Sequence, residues 1–182
     1  GGSVAGTCGD TSQTQSTDTT PVAGSSVSCN AGGLHADNGY YRVFNLSDDG
    51  LASFEVCSVS VGVENATSGT GEPQPIEVRI WNTGDNFDFS PANLAGESIT
   101  TIADAALALV EIPVTGTITG DSYVVEIFTP DGQADGHTCF MGANAAEETG
   151  QSYLSSVACG LPDPTPVDGI GFPDSHWVMI VN

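Results

Sequence analysis

The groups in this chain able to do chemistry are five cysteines, three histidines and 23 aspartates and glutamates. Cys8, Cys29, Cys57, Cys139 and Cys159 show no CxxC or CxxCH spacing. That spacing pattern argues against a zinc site, a thioredoxin-type centre or haem attachment, and leaves disulfides formed in an oxidising compartment. Cys57 and Cys139 stand inside apolar runs, whereas Cys29 ("CNAGG") and Cys159 ("CGLPDP") stand beside turn residues. A bridge needs Cα atoms within about 7 Å, which similar settings favour. The expected pairs are therefore Cys57 with Cys139 and Cys29 with Cys159, leaving Cys8 for a bridge to another subunit. The rival arrangement closes the N-terminal tail on itself through Cys8 and Cys29.

His35, His137 and His176 lie in no HExxH or GxSxG setting, and the abundance of acids makes a carboxylate pair available by number alone. The chain is read as a non-enzyme, with His176 beside Trp177 as a packing or hydrogen-bonding residue. For metal, "NTGDNFDFS" offers Asp85 and Asp88, and "PDGQADGH" offers Asp131 and Asp135. Oxygen-rich turns of this kind suit Ca²⁺, although neither has EF-hand spacing or a closing bidentate glutamate. The two readings are solvated turn acids and a structural Ca²⁺. Tyr40, Tyr41, Trp81, Tyr153 and Trp177 are candidates for a glycan-stacking platform, set against the tendency of alternate strand positions to bury several of them. "NLS" at Asn45 and "NAT" at Asn65 match the N-glycosylation sequon.

Against the 23 acids stand only Arg42 and Arg79, for a formal net charge of −21. Such a surface repels nucleic-acid phosphates and anionic membranes, and keeps an exported protein soluble. There is no apolar run of membrane-spanning length, and a chain beginning at Gly1 is expected to be a processed product at the cell surface or outside it.

Residues 1–28 are rich in Ser, Thr, Gly and Ala and contain no aromatic residue, Leu, Ile, Lys or Arg. They form a tail that cannot bury enough apolar surface to fold alone. The same composition runs on to residue 33, and from Leu34 the texture becomes short apolar runs punctuated by Gly, Pro, Asp and Asn, so that 1–28 is read as the arm and 29–182 as the β-sandwich domain. "YYRVFNL" (40–46), "PIEVRIWN" (75–82), "SYVVEIFT" (122–129) and "HWVMIV" (176–181) read as strands, and "HTCFMGA" (137–143) as a neighbour of 122–129. In "FEVCSVSVGVE" (54–64) the apolar parity changes, which predicts a β-bulge near Val56 or Cys57. "ADAALALVEIPVTGTI" (103–118) has some helical propensity, but Pro113 and the β-branched residues after it favour a strand. The expected fold is all-β, a jelly-roll-like sandwich with an extended N-terminal segment.

At "NGYYRVFNL", "VEIFTPDG", "QSYLSSVACG" and "GFPDSHWVM" the chain resembles a β-sandwich module that recurs in secreted bacterial proteins, often beside peptidase or anchoring domains. The resemblance spans residues 30–182 and carries no catalytic motif. Together these features predict a secreted assembly subunit of a cell-surface filament or pilus-like polymer. Its N-terminal arm would add as a donor strand to a neighbouring copy. The alternatives are a carbohydrate-binding or adhesive module and an accessory domain of a secreted enzyme.

Overall fold

The computed structural model describes residues 4–7 and 9–182. Cys8 lies outside them, and with it the expected intersubunit bridge. In chain order the strands are β1 (Val4–Gly6), β2 (Gln13–Thr14), β3 (Asn30–Ala31), β4 (Leu34–His35), β5 (Asn38–Asn45), β6 (Leu51–Thr67), β7 (Gln74–Trp81), β8 (Leu94–Ile102), β9 (Ala105–Ile118), β10 (Ser122–Thr129), β11 (Thr138–Met141), β12 (Ala143–Asn144), β13 (Ser152–Ser156), β14 (Leu161–Pro166), β15 (His176–Trp177) and β16 (Met179–Val181). The only helical pieces among the described residues are single 3₁₀ turns. The ambiguous stretch at 105–118 is a strand.

The strands form two six-stranded sheets. In the first, the long β6 is central: β9 runs along one side, and β1, β16 and β11 line the other in succession, with β2 outside β16. The second has the order β14-β13-β5-β10-β7-β8. One hydrophobic core fills the space between them, with Phe54, Val59, Val61 and Ile112 from the first sheet meeting Tyr40, Ile76, Val78, Ile80, Tyr123 and Ile127 from the second. Period-two alternation produces this arrangement, since each strand turns every other apolar residue inward. The register of β6 against β9 shifts between Val56 and Ser58, where the change of parity places a bulge. The two sheets also approach at one edge, where β8 passes β9 so closely that a Cβ on Gly116 would meet the Ala95 carbonyl at 3.0 Å.

Two sequence expectations are corrected. The strand at 138–141 is not a neighbour of 122–129. The chain from Pro130 to His137 is too long for a tight hairpin and carries it across to β6 in the other sheet. Cys57 does not pair with Cys139. Cys139 sits opposite Ala66 in the β6 ladder, nine residues from Cys57 and hence about 30 Å along the strand. Cys139 is a free, buried thiol, and Cys57 is disulfide-bonded elsewhere. The Cys29–Cys159 bridge is present, with its Cα atoms 5.9 Å apart, which removes the rival closure through Cys8 and Cys29.

Candidate functional site

The segment before Cys29 has the composition of a linker, yet its described residues are bonded to their own domain at many points. β1 pairs in parallel with Leu51–Phe54 of β6, filling the row that β16 and β11 continue. Gly6 permits the close approach, because a Cβ there would meet the Phe54 ring at 2.8 Å. β2 extends the same sheet beyond β16, and the Thr14 hydroxyl donates to the Met179 carbonyl at 3.0 Å.

The alternation in "SQTQS" turns two glutamines inward. Gln13 donates through Nε2 to Asp49 at 2.6 Å and accepts at Oε1 from the buried Tyr123 hydroxyl at 2.8 Å. Burial, with the Asp49 carboxylate adding to it, pushes the Tyr123 phenol well up, so it remains a donor to Gln13. Gln15 donates to the Val43 carbonyl at 2.6 Å and accepts from Arg42 Nη1 at 3.3 Å.

Arg42 organises the second anchor. Its position in β5 has the core-facing parity of Tyr40 and Phe44, and its side chain is 0% exposed. Nε donates to the Trp177 carbonyl at 2.7 Å, Nη1 also reaches the Gly150 carbonyl at 3.2 Å, and Nη2 makes a 2.7 Å ion pair with Glu148. Glu148 further accepts from Ser152 Oγ at 3.1 Å. A buried guanidinium is tolerable only when its donors and charge are met this completely.

Beyond Gln15 the anchoring continues through backbone and carboxylate groups. The Thr17 N–H reaches the Glu147 carbonyl, and Asn144 donates to the carbonyls of Asp18 and Thr20. Both oxygens of Glu64 accept from backbone, at Gly24 (3.0 Å) and Ser26 (2.9 Å). In a single chain, then, the described part of the arm is built into its own domain rather than projecting from it. The bonds that hold it are polar, so a composition count of apolar residues does not register them.

The remaining candidates fall elsewhere. Tyr40 and Trp177 are core residues in edge-to-face contact, 5.1 Å between ring centroids. Tyr41 and Trp81 lie on the outer face of the second sheet, beneath Phe87 and Phe89 of the 82–93 loop, and only Tyr153 at the margin is half-buried. Beneath that cap the buried Glu126 accepts from Trp81 Nε1 at 2.8 Å and from Tyr41 and Arg79 at 3.4 Å each, while Arg79 also pairs with Glu77 and Glu97. These rings therefore present no coplanar exposed pair for a sugar to stack on. Both arginines are paired with carboxylates, Arg42 in the interior and Arg79 in a partly exposed cluster, and the chain has no lysine.

The proposed metal acids close their own turns: Asp88 accepts from the Ser90 N–H, and Asp131 from the Gln133 N–H. Asp85 and Asp135 are exposed, and among the described residues no three His, Cys, Asp or Glu side chains gather as a metal site would require. Both ring nitrogens of His35 and His176, and Nδ1 of His137, meet backbone groups. His35 faces the His137 and Pro130 carbonyls, His176 faces the Ala146 and Pro173 carbonyls, and His137 Nδ1 accepts from Gly69. Of the sequons, Asn45 is exposed at the end of β5, whereas Asn65 lies inside β6 between β9 and β11. No protein-family model, curated protein or solved structure matches this chain. Among the described residues no helix is long and apolar enough to cross a membrane.

Proposed function

We propose that the protein is a secreted structural subunit that assembles with further copies of itself, by exchange of the N-terminal segment, into a filament or pilus-like polymer at the cell surface. The observation that carries this reading is the nature of the segment. It has no core of its own, supplies two strands to a sheet formed otherwise by the rest of the chain, and is held mainly by hydrogen bonds that a second copy would offer identically. A hydrogen-bonded segment of that kind suits exchange between protomers, because each hydrogen bond broken within one chain re-forms between two. The Cys29–Cys159 bridge, immediately after the segment, fixes the point from which an exchanged arm would depart and suits an oxidising, extracellular setting. The occupied histidines and the capped aromatics support an assembly role over catalysis or glycan binding.

Negative-stain microscopy of the full chain, across a concentration and salt series and with or without residues 1–28, tests the proposal. Filaments or oligomers that require the segment are expected. A full-length chain that stays monomeric at high concentration and high salt overturns the reading.

A further inference from the structure

The loop between β7 and β8, residues 82–93, is bonded to itself and only rests on the sheet beneath it. Its two ends are tied together, the Asn82 N–H donating to the Asn93 carbonyl at 2.7 Å. Within it, Thr83 Oγ1 donates to Asn86 at 2.8 Å, and the Asp88 carbonyl accepts from Asn93 Nδ2 at 2.9 Å. Among the described residues, no hydrogen bond joins residues 84–90 to anything outside the loop. Two half-buried rings seat it. Phe89 stacks on Tyr41 with centroids 5.6 Å apart and lies 5.1 Å from Trp81, while Phe87 meets Tyr153 edge-on at 4.9 Å. Phe87 holds that place at a φ of 49°, a left-handed conformation that disfavours a residue with a side chain and clusters at ligand clamps and switches. A compact loop with joined ends and its own hydrogen bonds can swing as a body without breaking them.

We propose that residues 82–93 are a displaceable lid over a latent binding site for a neutral saccharide, with Phe89 standing in the closed position where a sugar ring would stack. Tyr41 and Trp81 lie on the outer face of the second sheet, the face an antiparallel sheet commonly gives to solvent. At their edges stand the buried Glu126 and, beside it, Arg79. Aromatic rings bordered by a carboxylate and a guanidinium match a pyranose, which offers C–H groups on its faces and hydroxyls around its rim. An anionic guest is disfavoured, because Arg79 is already surrounded by Glu77, Glu97 and Glu126. The lid withholds these rings in the closed position, so saccharide binding would be a capacity added to the structural role and does not depend on exchange of the N-terminal segment.

Tryptophan fluorescence of the full chain reads the site, since Trp81 lies under the lid and Trp177 in the core. The probes are the β-linked hexasaccharides of glucose, N-acetylglucosamine and mannose at up to millimolar concentration, with Trp81→Phe identifying the responding ring. At least one is expected to bind wild type. Phe89→Ala, which removes the plug, should bind it about tenfold tighter, because a closed lid reduces apparent affinity by the fraction that is open. Gly84→Cys/Ser122→Cys pins the lid to β10, as a Cβ on Gly84 would lie 3.9 Å from that of Ser122, a separation suited to a disulfide. Oxidised, this variant should lose binding; mildly reduced, with Cys29–Cys159 still intact by mass spectrometry, it should regain it. Thermal melts check each fold, and the locked pair carries the test if Phe89→Ala melts well below wild type. No response of wild type to any of the three saccharides overturns the site. Binding by Phe89→Ala alone, or binding by the oxidised pair as strong as wild type, overturns displacement of the lid.

Discussion

Replacing Gln13 by Ala is the sharpest probe of whether the N-terminal segment belongs to the domain interior. The substitution leaves the Tyr123 hydroxyl, which is buried, without its acceptor at 2.8 Å, and deprives Asp49 of a donor at 2.6 Å. An unmet buried hydroxyl costs about 1–3 kcal/mol, and a hydrogen bond to a carboxylate of partial exposure contributes about 1 kcal/mol more, for a total of roughly 2–4 kcal/mol. For a chain of this size that corresponds to a fall in Tm of roughly 5–15 °C. Gln13→Met combined with Tyr123→Phe removes both partners and should recover most of the loss, with a coupling of about 1–2 kcal/mol in the double-mutant cycle. Urea unfolding followed by fluorescence and by circular dichroism supplies the free energies. A cost below about 0.5 kcal/mol for Gln13→Ala, or a cycle with no coupling, would refute the interior placement of the glutamine.

Other outcomes follow from the same structure. Cys29→Ser/Cys159→Ser opens a loop with a sequence separation of 130, for which chain entropy gives a loss of about 5 kcal/mol, measurable by chemical unfolding. Burial pushes the Cys139 thiol up to about 12, so peptide mapping should find it unlabelled by a maleimide at pH 8 in the native protein and labelled once unfolded. Burial also lowers His35 below its usual 6.5, although the His137 and Pro130 carbonyls oppose the shift. The unfolded chain then takes up the proton more readily, so the stability associated with neutral His35 is present above pH 6.5 and is lost as the pH falls below it. The slope is at most about 1.4 kcal/mol per pH unit, and it should diminish in His35→Gln when unfolding free energies are compared between about pH 7.5 and 5.5.

The fold class is legible in the sequence because the core strands alternate with period two: Ile76, Val78 and Ile80 in β7, and Tyr123, Val125 and Ile127 in β10, all face inward. The bulge is legible as a change of parity, and the Cys29–Cys159 bridge from matching turn settings. The pairing of Cys57 with Cys139 fails because similar apolar surroundings say nothing about distance along a strand, and β6 is long enough to separate them. Composition misjudges the N-terminal segment because it weighs apolar burial, whereas Gln13, Gln15 and Glu64 hold that segment through hydrogen bonds. Two signals do exist. One is the spacing of the glutamines at 13 and 15, the other an arginine at the core-facing parity of Tyr40 and Phe44, which demands an internal acid. That the acid is Glu148 depends on tertiary proximity, which no local pattern encodes.

The most direct test of the central proposal is to trap the segment where it docks. Thr14 and Ile180 are directly opposed across β2 and β16, a separation a disulfide can span, so Thr14→Cys/Ile180→Cys should cross-link on oxidation. Dilute monomer is expected to give an internally linked single chain on a non-reducing denaturing gel. Assembled protein is expected to give a ladder of covalently joined chains that collapses under reductant. Assembled protein that runs only as linked monomer would contradict exchange of the segment between subunits.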